Sequence, residues 1–310
     1  MTNRTRNFGI GSRDIKKAGN FALKETNLSF GSTATITERW KKFASFMNKR
    51  GLQTMEQVDQ KLVIKYGKYL AELVDIGECS PAYAQNLVSA VNTVMTMVIL
   101  GKWDSVSPTK DCDIPERSYA RTIPPTGINR NKFYSAIDEL SGQSLDHGKA
   151  IAVLARELGL RTKESALINC HKALHEALAH GVINITEGTK GGRPRTIQIT
   201  SESQISALKI ASSTQASKRS LIPTEMTWAQ FREGEIRQTR EALQHHGISR
   251  LHDLRSAYAC ERYEAITGQQ APVLGGSVDR QTDQLARNQI ALELGHGRID
   301  VTNAYLGSRQ

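Results

Sequence analysis

Apolar residues in roughly the first hundred positions of this chain recur at three- and four-residue steps, and the rhythm stops at Lys102. A chain patterned this way must bury helical stripes first and change architecture afterwards. Thr35-Ile36-Thr37-Glu38 has the spacing of a capping box, and Ile36, Trp40, Phe43 and Met47 follow it at helical intervals up to Gly51. A second helix is predicted from Asp59 to Val74, burying Leu62, Tyr66, Tyr69 and Leu73. A third opens at Ser80-Pro81, a hydroxyl cap followed by proline at the first helical position, with Tyr83, Leu87, Val91, Val94 and Val98 on one face. Trp40, Phe43 and Met47 read as core in preference to a base-stacking platform. Residues 1–110 are therefore expected to form a small all-helical domain behind a basic leader.

Between Lys102 and Gly127 the prolines Pro108, Pro115, Pro124 and Pro125 sit in a charged stretch without helical periodicity, so 111–127 is predicted to be a linker. Beyond it, in a second domain over 128–310, Asn131–Leu140, Lys149–Leu158, Leu251–Ile266 and Gln284–Leu294 have helical patterns. Val182–Thr186 and Arg195–Thr200 are short strand-like spans around the turn Gly188-Thr189-Lys190-Gly191-Gly192. The predicted fold class is mainly α with one small antiparallel β-sheet. At 310 residues the chain is long enough for two domains that each bury a core.

The net charge is +10, and the excess is uneven. Arg4, Arg6, Arg13, Lys16, Lys17, Lys24, Arg39, Lys41, Lys42, Lys49 and Arg50 face only Asp14, Glu25 and Glu38 in the opening stretch. Such a bias suits DNA, RNA or an acidic membrane surface, with a merely solvated basic face as the alternative. Cys79, Cys112, Cys170 and Cys260 form no C-x-x-C pair and read as reduced thiols of a cytoplasmic protein. No apolar run reaches the ~18 residues of a membrane span. Met1 to Asn20 lacks the apolar core of a signal peptide.

Several residues stand out chemically. Arg161, three positions before Glu164, offers a planar fork suited to two phosphate oxygens, although a local ion pair is the commoner reason for that spacing. His252 and Arg255 are one helical turn apart and share a face. Lys190 lies in a Gly-rich turn, and Leu294-Gly295-His296 precedes Tyr305. Cys170, His171, His175 and His180 invite a metal reading, but His175 and His180 do not have the four-residue spacing that puts two histidines on one helix face around Glu176. His245-His246 has no partner evident in sequence and is expected to be exposed.

The order of these motifs resembles the tyrosine recombinases, the phage and mobile-element integrases together with the Xer and Cre enzymes. Gly159-Leu160-Arg161 with Glu164 matches that family's G-L-R-x-x-E box, and Thr189-Lys190-Gly191-Gly192 through Arg195 matches its hairpin T-K-G-G-x-x-R. His252, Leu254 and Arg255 match the H-x-L-R box, Leu294-Gly295-His296 the L-G-H box, and Tyr305 follows at the family's interval with Thr302 between. Ser80-Pro81 after Tyr69-Leu70 is similar to the family's helical core-binding, SAM-like domain.

The resemblance implies a C-shaped clamp on DNA, with the helical domain and the catalytic domain on either side of the duplex. It implies that Arg161, Arg255 and His296 hold the scissile phosphate, that Tyr305 attacks it after losing its proton toward His252, and that Lys190 protonates the leaving 5′ oxygen. Glu164 is expected to brace the helix that carries Arg161. No metal or other cofactor is implied. The implied partners are double-stranded attachment sites, a homotetramer on DNA and an accessory bending or excision factor, in a bacterial cytoplasm and at the nucleoid when bound, with no membrane. Arg39, Lys42, Lys49, Arg50, Arg193 and Arg195 are the expected DNA contacts.

Two features depart from the commoner pattern. The interval from Arg255 to His296 is long, and Gly275-Gly276-Ser277-Val278-Asp279-Arg280 looks like an added loop. After Tyr305 come only Leu306-Gly307-Ser308-Arg309-Gln310, too few for the helix that many relatives exchange between subunits, so a truncated chain or another communicating surface is expected. Mobile-element integration or excision is the leading expectation. An Xer-like resolvase and a type IB topoisomerase share the chemistry, although His252 favours a recombinase. A DNA-binding regulator without turnover would have no use for Tyr305 at its interval from His296.

Overall fold

Several helices begin by one device, in which a side-chain oxygen accepts the amide three residues ahead. Ser29 accepts from Ser32 at 3.3 Å, Asp59 from Leu62 at 2.7 Å and Ser80 from Tyr83 at 3.3 Å. The computed structural model describes residues 6–24 and 28–309; Arg4 of the expected leader lies outside them. These residues divide into two units, one up to Ser118 and one from Tyr119.

In the first unit the helices are α1 (Ile15–Lys24), α2 (Phe30–Asn48), α3 (Gln60–Asp75) and α4 (Pro81–Val98). Two of them depart from expectation. Helix α2 starts at Phe30, and Thr35 is no cap: its hydroxyl donates to the Gly31 carbonyl at 2.8 Å inside the helix. Helix α1 occupies much of the expected leader and is tied down by Trp40, whose Nε1 donates to the Ile15 carbonyl at 2.8 Å. Trp40, Phe43 and Met47 are core, as their spacing predicts.

The buried face of α3 runs through Val63, Tyr66 and Leu70, because α3 packs on α4 from that side. Tyr69, expected in the core, is 39% exposed. On α4, Leu87, Val91 and Val94 are buried and Tyr83 is exposed.

The expected linker is likewise absorbed. Val106, Cys112 and Ile114 belong to the core of the first unit. The Arg121 amide donates to the Asn303 carbonyl at 2.8 Å and the Thr126 hydroxyl to Asp253 at 2.7 Å, within the second unit. Buried apolar side chains and satisfied backbone groups outweigh the prolines here.

The second unit comprises α5 (Arg130–Gly142), α6 (Asp146–Leu158), α7 (Thr162–Leu167), α8 (Cys170–His180), β1 (Val182–Ile185), β2 (Arg195–Gln198), α9 (Glu202–Gln215), α10 (Trp228–Glu233), α11 (Glu235–His245), α12 (Leu251–Thr267), α13 (Arg280–Glu293) and α14 (Asn303–Leu306). Helix α6 is buried along most of its length between α9 and α12. The two strands pair antiparallel, with Ile183 opposite Ile197 and both side chains in the core. A separate apolar cluster joins Tyr263, Ile290, Leu294, Tyr305 and Leu306, and so seats the last helical turn on α12 and α13.

Among the described residues no His, Cys, Asp or Glu group is arranged to hold a metal ion, His175 and His180 included. No described helix is long and apolar enough to cross a membrane. The fold is mainly α with one two-stranded antiparallel sheet.

Gly19 permits the approach of α1 to α2, since a Cβ there would lie 2.2 Å from Nε1 of the buried Trp40. Gly19→Ala is expected to destabilise the first unit by about 1–3 kcal/mol through overpacking, despite the better helix propensity of alanine. Urea unfolding followed by tryptophan fluorescence measures it, and an unchanged midpoint would show that the contact is slack.

Candidate active site

A helix ends with carbonyls that have no partner in the helix, at the negative end of its dipole. At the end of α13 those carbonyls meet three arginines. Arg195 Nε donates to Glu293 O at 2.7 Å, while Arg161 Nη2 and Arg255 Nη2 both donate to Leu294 O, at 3.2 and 2.5 Å. The chain then turns at Gly295 with φ of 67°, and a Cβ there would lie 2.9 Å from Arg195 Cδ. Both the positive φ and the close arginine require glycine.

One carboxylate holds this cluster together. Glu164 is fully buried. Its Oε1 accepts from Arg161 Nη1 at 2.6 Å and Arg195 Nη1 at 2.8 Å; its Oε2 accepts from the Arg161 amide and Arg195 Nη2, each at 2.7 Å. Arg255 Nη1 stands 3.8 Å from Oε2. Burial alone would raise the Glu164 pKa, but Arg195 and Arg161 bring it down to about 2. Among the described residues no other carboxylate forms an ion pair with Arg161, Arg195 or Arg255. Three cations sharing one anion leave a positive excess, which is what an anionic ligand would complete.

The same contacts revise one expectation. Arg195, expected to touch DNA, is 9% exposed and spends its guanidinium on Glu164 and the α13 carbonyl. It braces the site from behind. Arg161, by contrast, caps α7 and keeps its side chain 23% exposed. Arg255 is fully buried and also donates to the Gly159 carbonyl.

Tyr305 lies against this cluster, 4% exposed. Its hydroxyl is 3.0 Å from His296 Nε2 and 3.4 Å from Arg255 Nε. The rings of His252 and His296 flank it, with centroids at 5.4 and 5.5 Å. The hydroxyl therefore contacts His296, whereas His252, the expected proton acceptor, faces the phenol ring. Burial lowers Arg255 to about 10, and the guanidinium remains charged at neutral pH. Burial, then Arg255, Arg161, Arg195 and Lys190, push His296 down to about 4, so its imidazole is neutral. His252 keeps an edge at the surface, yet the protein packed beneath it and the Arg255 charge lower its pKa too. Lys190 stands on the exposed turn between the strands, near enough for its charge to act on His296.

Other residues that shape the site were not singled out from sequence. Arg121 pairs with the buried Asp253 at 3.0 Å and donates to Ser256 at 3.2 Å, fixing the start of α12 beside His252. Asp253 lies inside the H-x-L-R box, and that position was its only signal. Tyr258 donates to Glu293 Oε2 at 2.8 Å, and Arg262 holds the same carboxylate at 3.0 Å, so the end of α13 is fastened to α12.

The other expected DNA contacts fall in three places. Lys42, Lys49 and Arg50 line an open cavity of about 630 Å³ in the first unit together with Tyr69 and Tyr83. Arg50 stacks over the Phe46 ring at 3.5 Å. Arg39 borders a separate hollow with Ser29 and Ser32. Arg193 is exposed on the strand-connecting turn, with Nη1 3.1 Å from where a Gly297 Cβ would stand, beside His296. His245 and His246 do have a partner: they hold the two oxygens of Glu139 at 3.1 and 2.8 Å.

Residues 120–261 match the integrase family model, and most of the chain aligns with solved recombinases. The chain has a tyrosine recombinase fold. The XerH site-specific recombinase bound to a palindromic difH substrate aligns with a TM-score of 0.60 at 16% identity, over 96% of this chain and 81% of that one. The Tn1549 transposon integrase in complex with transposon right end DNA aligns at 0.59 and 12% identity, over 94% of each chain. A lambda integrase tetramer bound to a Holliday junction aligns at 0.56 and 14% identity, over 95% of this chain and 77% of that one. No curated protein matches in sequence.

Replacing Glu164 by alanine in this integrase-like unit should lower unfolding free energy by about 3–5 kcal/mol, because it leaves buried guanidiniums uncompensated. Chemical denaturation reads this directly; a loss below about 1 kcal/mol, as for a surface pair, would contradict the bracing role.

A pH dependence also follows. His252 and His296 have folded pKa values below the ordinary 6.5, so the unfolded chain binds more protons as pH falls. Their contribution to stability is complete above 6.5 and is lost as pH falls below it, for His296 toward about 4. Tm should therefore drop between pH 7 and pH 5, above the range of the carboxylates, and drop less in His296→Gln. Equal drops in both proteins would exclude His296 as a source.

Proposed function

We propose that this chain is a site-specific DNA recombinase of the integrase type, cleaving and rejoining DNA through a 3′-phosphotyrosyl intermediate in the integration or excision of a mobile element. The observation that carries the reading is the Tyr305 hydroxyl, held by His296 and Arg255 at the edge of a cluster with three guanidiniums and one carboxylate. A phenol placed beside unspent positive charge is suited to attack a phosphodiester, whose negative charge grows on two oxygens as the transition state forms.

In this mechanism Arg161 and Arg255 hold the non-bridging oxygens, and His296 adds a hydrogen bond. Tyr305 Oη forms a bond to phosphorus as the bond from phosphorus to the 5′ oxygen breaks. The phenol proton leaves toward a neighbouring imidazole, with His252 as acceptor once a phosphate occupies His296, and Lys190 gives a proton to the departing 5′ oxygen. The phosphotyrosyl bond keeps the energy of the phosphodiester, so a 5′-hydroxyl of another strand reverses the step and regenerates the phenol.

Lys42, Lys49, Arg50 and Arg39 of a helical domain (1–110) and Arg193 of a catalytic domain (128–310) would supply phosphate contacts. Strand exchange between two duplexes would place a tetramer on the DNA, in the bacterial cytoplasm, with an accessory bending factor as a further partner.

Covalent trapping tests the reading. Wild-type and Tyr305→Phe proteins are incubated with nicked suicide duplexes drawn from the DNA that flanks the gene, and denaturant-resistant adducts are scored. An adduct with wild type alone is expected. An adduct with Tyr305→Phe would reject the nucleophile, and tight binding without any adduct would favour a DNA-binding regulator.

A further inference from the structure

Tyr305 sits on α14, a single helical turn, and a turn that short has no stable shape of its own. Besides the apolar cluster beneath it and the Arg121 amide on Asn303, it is held by a residue that touches neither the phenol nor the arginine cluster. Arg287 on α13 is 4% exposed. Its Nη1 donates to Asn303 Oδ1 at 2.8 Å and to Thr302 Oγ1 at 3.3 Å, and its Nη2 donates to the Gly307 carbonyl at 3.0 Å. One guanidinium thus holds the chain on both sides of Tyr305.

The other edge of Arg287 is fixed. Nε donates to both oxygens of Asp283, at 2.8 and 2.9 Å, one turn earlier on α13. Asp283 in turn accepts from the Tyr263 hydroxyl on α12 at 2.8 Å. Two helices therefore aim the fork, and the fork grips the turn. The planar spread of donors matters, because an ammonium on a flexible stem cannot meet Asn303, Thr302 and Gly307 together.

We propose that Arg287 is a positioning residue for the nucleophile, which fixes Tyr305 Oη against Arg255 and His296 by clasping residues 302–307. The proposal rests on the strand-transfer reading above. Misplacing a reacting atom by about 1 Å costs on the order of 10²-fold in rate. Binding of DNA phosphates, which the clasp does not touch, should be spared.

The test compares wild type, Arg287→Lys, Asn303→Ala and the double variant, all as full chains, in single-turnover cleavage of a suicide duplex. DNA dissociation constants and Tm are measured alongside. Arg287→Lys is expected to cleave roughly 10–100-fold more slowly with DNA affinity changed less than about twofold. Asn303→Ala should lose about 3–10-fold, and the double variant about as much as Arg287→Lys alone, because both remove one grip. A merely structural role would instead reduce affinity in step with rate and make the losses multiply. Wild-type cleavage rates in Arg287→Lys, or multiplicative losses with falling affinity, would overturn the proposal. If Arg287→Lys does not fold, Asn303→Ala decides: a wild-type rate there rejects the grip. Absence of any adduct with wild type overturns the strand-transfer reading first, and the positioning role with it.

Discussion

The buried Glu164 carboxylate is the interaction on which the site depends. Without it Arg161, Arg195 and Arg255 would repel one another beneath a protein surface that screens charge poorly. With it, two guanidiniums are fixed at 2.6 to 2.8 Å and a third stands close by, and all three take up the carbonyls that α13 leaves open. Burying such a group has a desolvation cost that a hydrophobic cluster would avoid. What that cost secures is arginines held in place before a ligand arrives, with one negative charge set against three positive ones.

The unspent charge has a second effect. Together with burial, which acts more strongly, it keeps His296 neutral, since a proton on that imidazole would face Arg255, Arg161, Arg195 and Lys190. The phenol of Tyr305 consequently shares a hydrogen bond with a neutral ring and with a cation. Under the strand-transfer proposal, an incoming phosphodiester offsets part of the field and makes proton uptake by the flanking imidazoles easier. Phosphate binding and activation of the phenol are then coupled by electrostatics alone, without movement of the backbone.

The candidate site residues stood out because their types suit a phosphate and their order resembles that of the tyrosine recombinases: arginine with Glu164, lysine in a Gly-rich turn, His252 with Arg255, then His296 and Tyr305. The helix that opens at Ser80 was legible because a cap and a proline preceded its period. Roles that depend on direction were not. Arg195 in sequence is another cation near Lys190, and only the fold turns it inward onto Glu164. Tyr69 lies on a helical stripe whose orientation was decided by the partner helix. Helix α1, whose stripe of Ile15, Ala18, Ala22 and Leu23 lies inside a strongly basic stretch, is held by a tryptophan twenty-five residues away. His245 and His246 found Glu139, which is over a hundred positions distant.

Local patterning thus determined that the chain would be mostly helical with one hairpin, and where several of the helices begin. Those are properties of capping, periodicity and residue type, which act over a few positions. Tertiary structure decided which arginine faces outward and which braces, that His296 and not His252 meets the Tyr305 hydroxyl, and that Arg287 clasps the turn bearing it. These depend on contacts between residues far apart in the chain, where packing and the pairing of buried charge choose among arrangements that the sequence pattern leaves equal.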